Sequence, residues 1–468
     1  MPSSPLPLSA PELLKLYEKK KLSPVEAVES CLKQILKYNP VLNAFSYLDG
    51  QAALHQAKMS ERRWQKGAQK GLLDGVPVTV KDSFNVKGWP TRQGSKTMAA
   101  LPQRDDAPAV TYLRDQGAII LGKTTMPEFG VKGVTDSPLL GITRNPWNVK
   151  KTPGGSSGGA AVAAATGMAW LNLGSDAGGS VRIPASFSGV VGFKPSPGLI
   201  PALPPGLFST LWSAGPVVRS VADAALMMDV VSGSDPRDWF SLPLPPQGFV
   251  AALAKPLPKL RIAYATSIDG ISASSEVKEI FKSIVPILKK LGTAEEVKLD
   301  LPHGGVEVFN THWMAIAAHT LSEYPEKSRK LMDPRFVHWG KRGQGLLMKD
   351  YLWAERARMD IGAYFKEMLS SYDILVTPTT AMVAFDAGIN MPNDAKGQPW
   401  DNWTPFTLPA NLARLPALSI PMGMTKDGLP AGLQLMAGYL RDPFLLRAGA
   451  AVEEAIGFTP WLEAKKEG

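Results

Sequence analysis

The chain of 468 residues holds a single cysteine, Cys31, and only five histidines. One thiol excludes an intrachain disulfide and any metal site built from several cysteines. Set among apolar residues in a helical pattern, Cys31 reads as a buried structural thiol. No apolar run approaches the roughly 18 residues of a membrane span, and the opening Met-Pro-Ser-Ser-Pro-Leu-Pro has neither the basic nor the apolar segment of a secretion signal. A cytoplasmic protein is expected. Long blocks of one charge are also missing. Lys and Arg number 51 against 42 Asp and Glu, a formal net charge of +9, yet the densest basic runs are only Lys19-Lys20-Lys21 and Lys150-Lys151. That scatter predicts a solvated basic surface and no nucleic-acid partner. Linkers rich in charge or in Pro and Ser are absent too, as are internal repeats. The length would suit three average domains, but one unit is expected, with residues 1–66 as an N-terminal helical layer and 67–468 as the catalytic domain.

What is present fits a soluble globular enzyme: 44% hydrophobic and 20% charged residues. Ser9 with Glu12, and Ser23-Pro24 with Glu26, read as capping boxes opening two helices, the second stopping near Asn39-Pro40. Leu42 to Leu48 reads as a strand, followed by a charged helix from about Gln51 to Lys66. Val76, Val78 and Val80 alternate with Pro77, Thr79 and Lys81, the period of a strand that sends Lys81 and Asp82 to opposite faces. A helix within 105–116 and a buried strand at Ala118 to Gly122 continue an α/β alternation. The pattern predicts an α/β fold, a large twisted mixed β-sheet covered by helices on both faces.

The densest signal lies between Thr152 and Pro195. It comprises Gly154-Gly155-Ser156-Ser157-Gly158-Gly159, a small-residue helix, then Asp176-Ala177-Gly178-Gly179-Ser180-Val181-Arg182-Ile183-Pro184. Glycine runs cost folding entropy and are kept where the backbone takes φ > 0 or meets another group closely. A flexible linker would have no reason to lead into the apolar helix at Ala160 to Ala165. Gly154 to Gly158 also matches Gly-x-Ser-x-Gly, the elbow of α/β-hydrolases with Ser156 as nucleophile. The elbow needs a strand just before it and a later acid and histidine. Residues 145–153 read as a loop, and of His303, His312, His319 and His338 none has a clearly placed acid. Ser30-x-x-Lys33 matches a β-lactamase motif, but neither companion motif of that family accompanies it.

Both serines together with the strand-end lysine resemble the amidase signature family of serine hydrolases. The likeness rests on Gly154 to Gly159, Asp176 to Pro184 and Val80-Lys81-Asp82, with 75 positions from Lys81 to Ser156 and 24 from Ser156 to Ser180. Weaker likeness extends through Gly122-Lys123-Thr124, Thr377-Pro378-Thr379 and Gly432-Leu433-Gln434. The resemblance implies Ser180 as nucleophile, Ser156 as a bridging serine beside a cis peptide, and Lys81 as general base. It also implies an oxyanion hole from the N–H groups of Ala177, Gly178, Gly179 and Ser180, and no metal or other cofactor.

Elementary chemistry agrees. A serine hydroxyl needs a base, and a lysine of ordinary pKa is neutral only about 0.04% of the time at pH 7. Lys81 must therefore be desolvated. A hydroxyl both donates and accepts, so Ser156 can carry the proton of Ser180 to Lys81 and return it to the leaving nitrogen. Asp176 and Arg182 read equally as charges that hold this loop or as a structural ion pair.

Two readings of the substrate stand. The first is a self-sufficient hydrolase of small amides, aryl or acyl amides and by extension esters or carbamates, working as a monomer or homodimer. The second is the glutamine-amidase subunit of a tRNA-dependent amidotransferase. Such subunits typically carry Ser-Leu-Asp-x-x-Gly-Pro after the signature, whereas this chain has Thr210-Leu211-Trp212-Ser213-Ala214-Gly215-Pro216. Tryptophan in place of the acid, with Leu207 and Phe208 nearby and Phe129 as a further wall, predicts an apolar pocket for an acyl or aryl group.

Overall fold

Both N-terminal capping boxes form. Ser9 and Glu12 open the helix Ala10–Glu18, and Ser23 and Glu26 open Pro24–Leu42. The second helix runs through Pro40 and ends at Asn43, whose φ of 52° turns the chain. Asn39 Oδ1 accepts the N–H of Ala44 at 2.7 Å and of Phe45 at 3.1 Å, so Asn39 anchors the exit rather than stopping the helix. The structure, a computed structural model, describes residues 8–203, 209–393 and 403–458.

Eleven strands make one mixed sheet. In chain order they are β1 (Phe45–Leu48), β2 (Pro77–Lys81), β3 (Ile119–Thr124), β4 (Leu171–Asp176), β5 (Val191–Lys194), β6 (Ser213–Val218), β7 (Leu260–Tyr264), β8 (Gly292–Glu296), β9 (Ile374–Pro378), β10 (Ala417–Met424) and β11 (Pro430–Met436). Their order across the sheet is β1-β3-β2-β4-β6-β5-β10-β11-β9-β7-β8. β2 runs parallel to both β3 and β4, while β4, β6, β5, β10, β11 and β9 pair antiparallel in turn. The first 66 residues thus supply an edge strand as well as helices.

Helices cover both faces. On β10, Leu418 meets Gly449 of the helix Asp442–Ile456, where a Cβ on Gly449 would fall 2.1 Å from Leu418 Cδ2. The next residue, Ser419, bonds Thr379 Oγ1 at 2.8 Å, beside Ser186 of the helix Arg182–Ser188. Neighbouring side chains on a strand point to opposite faces, so these helices lie on opposite sides. The apolar core is continuous from the N-terminal helices to the C-terminal one. No helix of the described residues is long and apolar enough to cross a membrane.

Candidate active site

The parallel trio β3-β2-β4 ends along one edge, and the carboxyl ends of such strands are where α/β sheets build sites. Lys81 closes β2, and Ser175 and Asp176 close β4. The side chain of Asp82 turns the other way to pair with Lys123 at 2.9 Å. Between the helix Gly158–Ala165 and the loop before it lies the Gly155–Ser156 peptide, which is cis. The close packing behind it requires glycine: a Cβ on Gly155 would sit 2.6 Å from the Val134 carbonyl. No strand precedes Ser156, so the hydrolase elbow is not formed.

Lys81 is 1% exposed, and its Nζ donates to Ser156 Oγ at 2.6 Å and to Ser175 Oγ at 3.0 Å. Burial pushes the ammonium down to about 7, against the opposing pull of the Asp176 carboxylate. The loop after β4 is pinned by Asp176 and Arg182, both fully buried. Arg182 Nε and Nη2 reach the Asp176 carboxylate at 3.0 and 2.9 Å, and its remaining donors go to Thr407 O, Gln434 Oε1 and Asn411 Oδ1. Burial alone would raise Asp176, but Arg182 and Lys194 hold it well below the usual carboxylate range. Asp176 in turn accepts the N–H of Gly179 at 2.7 Å and of Val181 at 3.1 Å. Gly179 sits at φ 124°, where a Cβ would fall 2.5 Å from Thr407 Oγ1. Its N–H is committed to the carboxylate, while the N–H groups of Ala177, Gly178 and Ser180 have no acceptor among the described residues.

A cavity of about 180 Å³ is lined by Lys81, Ser156, Ser175 and Ser180 together with Phe84, Phe129 and Trp212. The Ser157 N–H donates to the Ser180 carbonyl at 3.1 Å, locking the two serine loops together. Phe129 and Trp212 are therefore brought to the same space as the polar triad, and Trp212 packs on Phe84 with ring centroids 6.1 Å apart. Leu207 and Phe208 lie outside the described residues. Four residues of the site carry no sequence signal as singletons: Ser175, Thr407, Asn411 and Gly130, the last lining the cavity beside Ser156. Asn411 holds the Asp176 carboxylate at 3.0 Å from a short helix more than 200 positions downstream.

The Amidase family model matches residues 26–446. An acylamidase of Rhodococcus erythropolis is 34% identical over 98% of this chain and 97% of its own. The A subunit of glutamyl-tRNA(Gln) amidotransferase from Acidothermus cellulolyticus is 34% identical over 96% of this chain and 94% of its own. Among solved structures, a bacterial aryl acylamidase of the amidase signature family superposes with a TM-score of 0.86 at 28% identity, covering 96% of each chain. With that match, a desolvated lysine bonded to a serine, and a second serine on the same cavity, the chain belongs to the amidase signature family and is an amidohydrolase acting on carbon–nitrogen bonds.

Proposed function

We propose that Ser180 attacks the carbonyl of a small N-substituted amide and is acylated, with Lys81 as base and Ser156 as proton carrier. The observation that carries this reading is Lys81 itself: buried, held near neutrality and donating to Ser156. In the forward step the Ser180 proton passes through Ser156 to Lys81 as the Oγ–C bond forms. It then returns through Ser156 to the nitrogen as the C–N bond breaks, so an amine leaves neutral. Water repeats the sequence to release the acid. The N–H groups of Ala177, Gly178 and Ser180 take the developing oxyanion, and Gly179 contributes by anchoring the loop to Asp176.

For the substrate we favour aryl or acyl amides, and carbamates by the same steps, since a carbamate offers the same attacked carbonyl and leaving nitrogen. Phe84, Phe129 and Trp212 beside Ser156 suit an aromatic amine better than ammonia. The chain then works in the cytoplasm as one catalytic unit, as monomer or homodimer, without a nucleic-acid partner. The amidotransferase subunits among its relatives keep the alternative, a glutamine amidase, in play.

The test is turnover by the purified chain of glutamine, a short aliphatic amide, a nitroanilide, a nitrophenyl ester and an aryl carbamate, each also with Ser180→Ala. The expected result is hydrolysis of the aryl substrates, none of glutamine, and loss of all turnover in the variant. Turnover of glutamine alone, or only after partner subunits are added, would hand the function to the amidotransferase reading.

A further inference from the structure

A second cavity, of about 120 Å³, opens on the other side of Ser180. Among the described residues Ser180 is the one common to both, and two segments divide them: Phe129 and Gly130 face the Lys81 side and Val131, Lys132 and Gly133 the other, as Ala177 and Gly178 do on the loop after β4. The walls of the second cavity are aromatic and aliphatic. Phe309 stacks on Trp313 with centroids 5.3 Å apart, and Trp339 and Trp403 also line the cavity, beside the aliphatic Val131, Ile183, Val306 and Leu408. Phe309 lies directly on the oxyanion loop, since a Cβ on Gly178 would fall 2.5 Å from its Cζ.

Its rim is polar and oriented. Lys132 Nζ donates to Asp136 at 2.5 Å, Asp333 at 2.6 Å and Asn390 Oδ1 at 3.0 Å, which uses all three ammonium hydrogens. An ammonium can meet only the oxygen of an amide, so the Asn390 NH2 group points away from Lys132 as a donor. Arg335, whose guanidinium lies 5.4 Å from the Trp339 ring centroid, lines the same rim. Among the described residues, Lys132 and Arg335 are set against Asp136 and Asp333, and the buried Glu128 carboxyl, which accepts the Asp333 N–H, adds to the acidic side. A neutral acceptor can therefore meet the Asn390 NH2 group there, and an anion gains no net attraction.

We propose that this second cavity receives the acyl half of the substrate, or the alkoxycarbonyl half of a carbamate, and selects halves that end in a neutral oxygen acceptor such as an ether or ester. The inference rests on the proposed roles of Ser180 and Ser156. The leaving nitrogen takes its proton from Ser156, which lines the Lys81 cavity. The amine half belongs on that side, and the acyl half is left with the aromatic cavity and its donor rim.

The experiment uses nitroanilides of equal acyl length: an alkanoyl chain, its ether isostere, a terminal methyl ester and a terminal carboxylate. The ether and ester are expected to exceed the alkanoyl compound in kcat/KM by about tenfold, as one added hydrogen bond allows, with the carboxylate no better than the alkanoyl. In Asn390→Leu that ratio is expected to collapse to about twofold or less, and Asn310→Leu, on the same rim, serves if the first variant misfolds. Binding of the matching non-hydrolysable ketones to Ser180→Ala, followed by tryptophan fluorescence, reads the subsite apart from catalysis. Equal rates and equal binding across the series, a preference for the carboxylate, or a preference that follows the oxygen when it is moved to the amine ring would each overturn the assignment. Failure of every anilide to turn over, with the ketone preference intact, would instead count against the proposed function.

Discussion

The stretch from Thr152 to Ile200 and the helices from Gly305 to Ser371 meet at Ser180 but are built on opposite principles. In the first, every residue is buried except Gly178, which is half-buried, and many of its charged and hydroxyl groups hold one another or the backbone: Asp176 with Arg182 and Gly179, Ser157 with Ser175. A buried polar atom without a partner costs about 1–3 kcal/mol, so each of these residue types is dictated by its neighbour. The second region exposes Leu347, Met348, Leu352 and Met359 to solvent and offers the site a wall of rings. A ring wall can be repacked with modest loss. On the proposed roles, chemistry and selectivity are thereby separated, and substitutions in the two regions should differ in kind as well as in size.

The sharpest contrast is set by Lys81. Replacement by alanine is expected to lower kcat by about 10³ to 10⁴, toward the upper end of what a positioned base contributes. The pH profile gives the sign. Burial lowers the ammonium to about 7, and only the neutral amine accepts a proton, so kcat/KM of the unmodified enzyme should fall as pH drops below about 7 and level off above it. A rate flat from pH 6 to 8, or a variant that keeps its activity, would break the assignment.

Asp176→Asn tests whether the first region depends on its buried pair. Removing one partner of a buried ion pair costs about 3–5 kcal/mol, and here it leaves Arg182 with an unmatched charge in the protein interior. Urea unfolding should show a loss of that order, and the surviving enzyme should have its acid limb at lower pH, because Asp176 favours the charged form of Lys81. Unchanged stability would mean that the pair is incidental to the loop.

The same division explains what could be read without coordinates. Lys81, Ser156 and Ser180 were legible because close backbone contacts and proton transfer admit few residue types at fixed spacing. β2 and β3 were legible too, but two strands beside them, β4 and β6, were not. β4, Leu-Asn-Leu-Gly-Ser-Asp, and β6, Ser-Ala-Gly-Pro-Val-Val, are buried on both faces and carry Gly, Ser and Pro, which erase the alternation that reveals a half-exposed strand. β8, Gly-Thr-Ala-Glu-Glu, is a strand because β7 pairs with it, not by propensity. Asn411 and Thr407 hold the loop after β4 from far along the chain, where nothing local in Leu-Pro-Ala-Asn-Leu marks them. The second cavity adds residues from 131–133, 306–339, 390–391 and 403–408 to Gly178, Ser180 and Ile183, and those additions have no contiguous signature.

Trp212→Ala is the smallest and most selective of these tests. Trp212 is half-buried, rests on Phe84 and faces the cavity that holds Lys81 and Ser156. If that cavity holds the amine half, removing the indole withdraws contact from an aryl amine but from almost nothing when the amine is methylamine. The expected result is about a tenfold loss in kcat/KM for the anilide, roughly 1.4 kcal/mol, and a much smaller loss for the N-methylamide. An equal loss for both substrates would show that Trp212 supports the loop rather than the ligand. A loss that tracks the acyl half would reverse the two cavities.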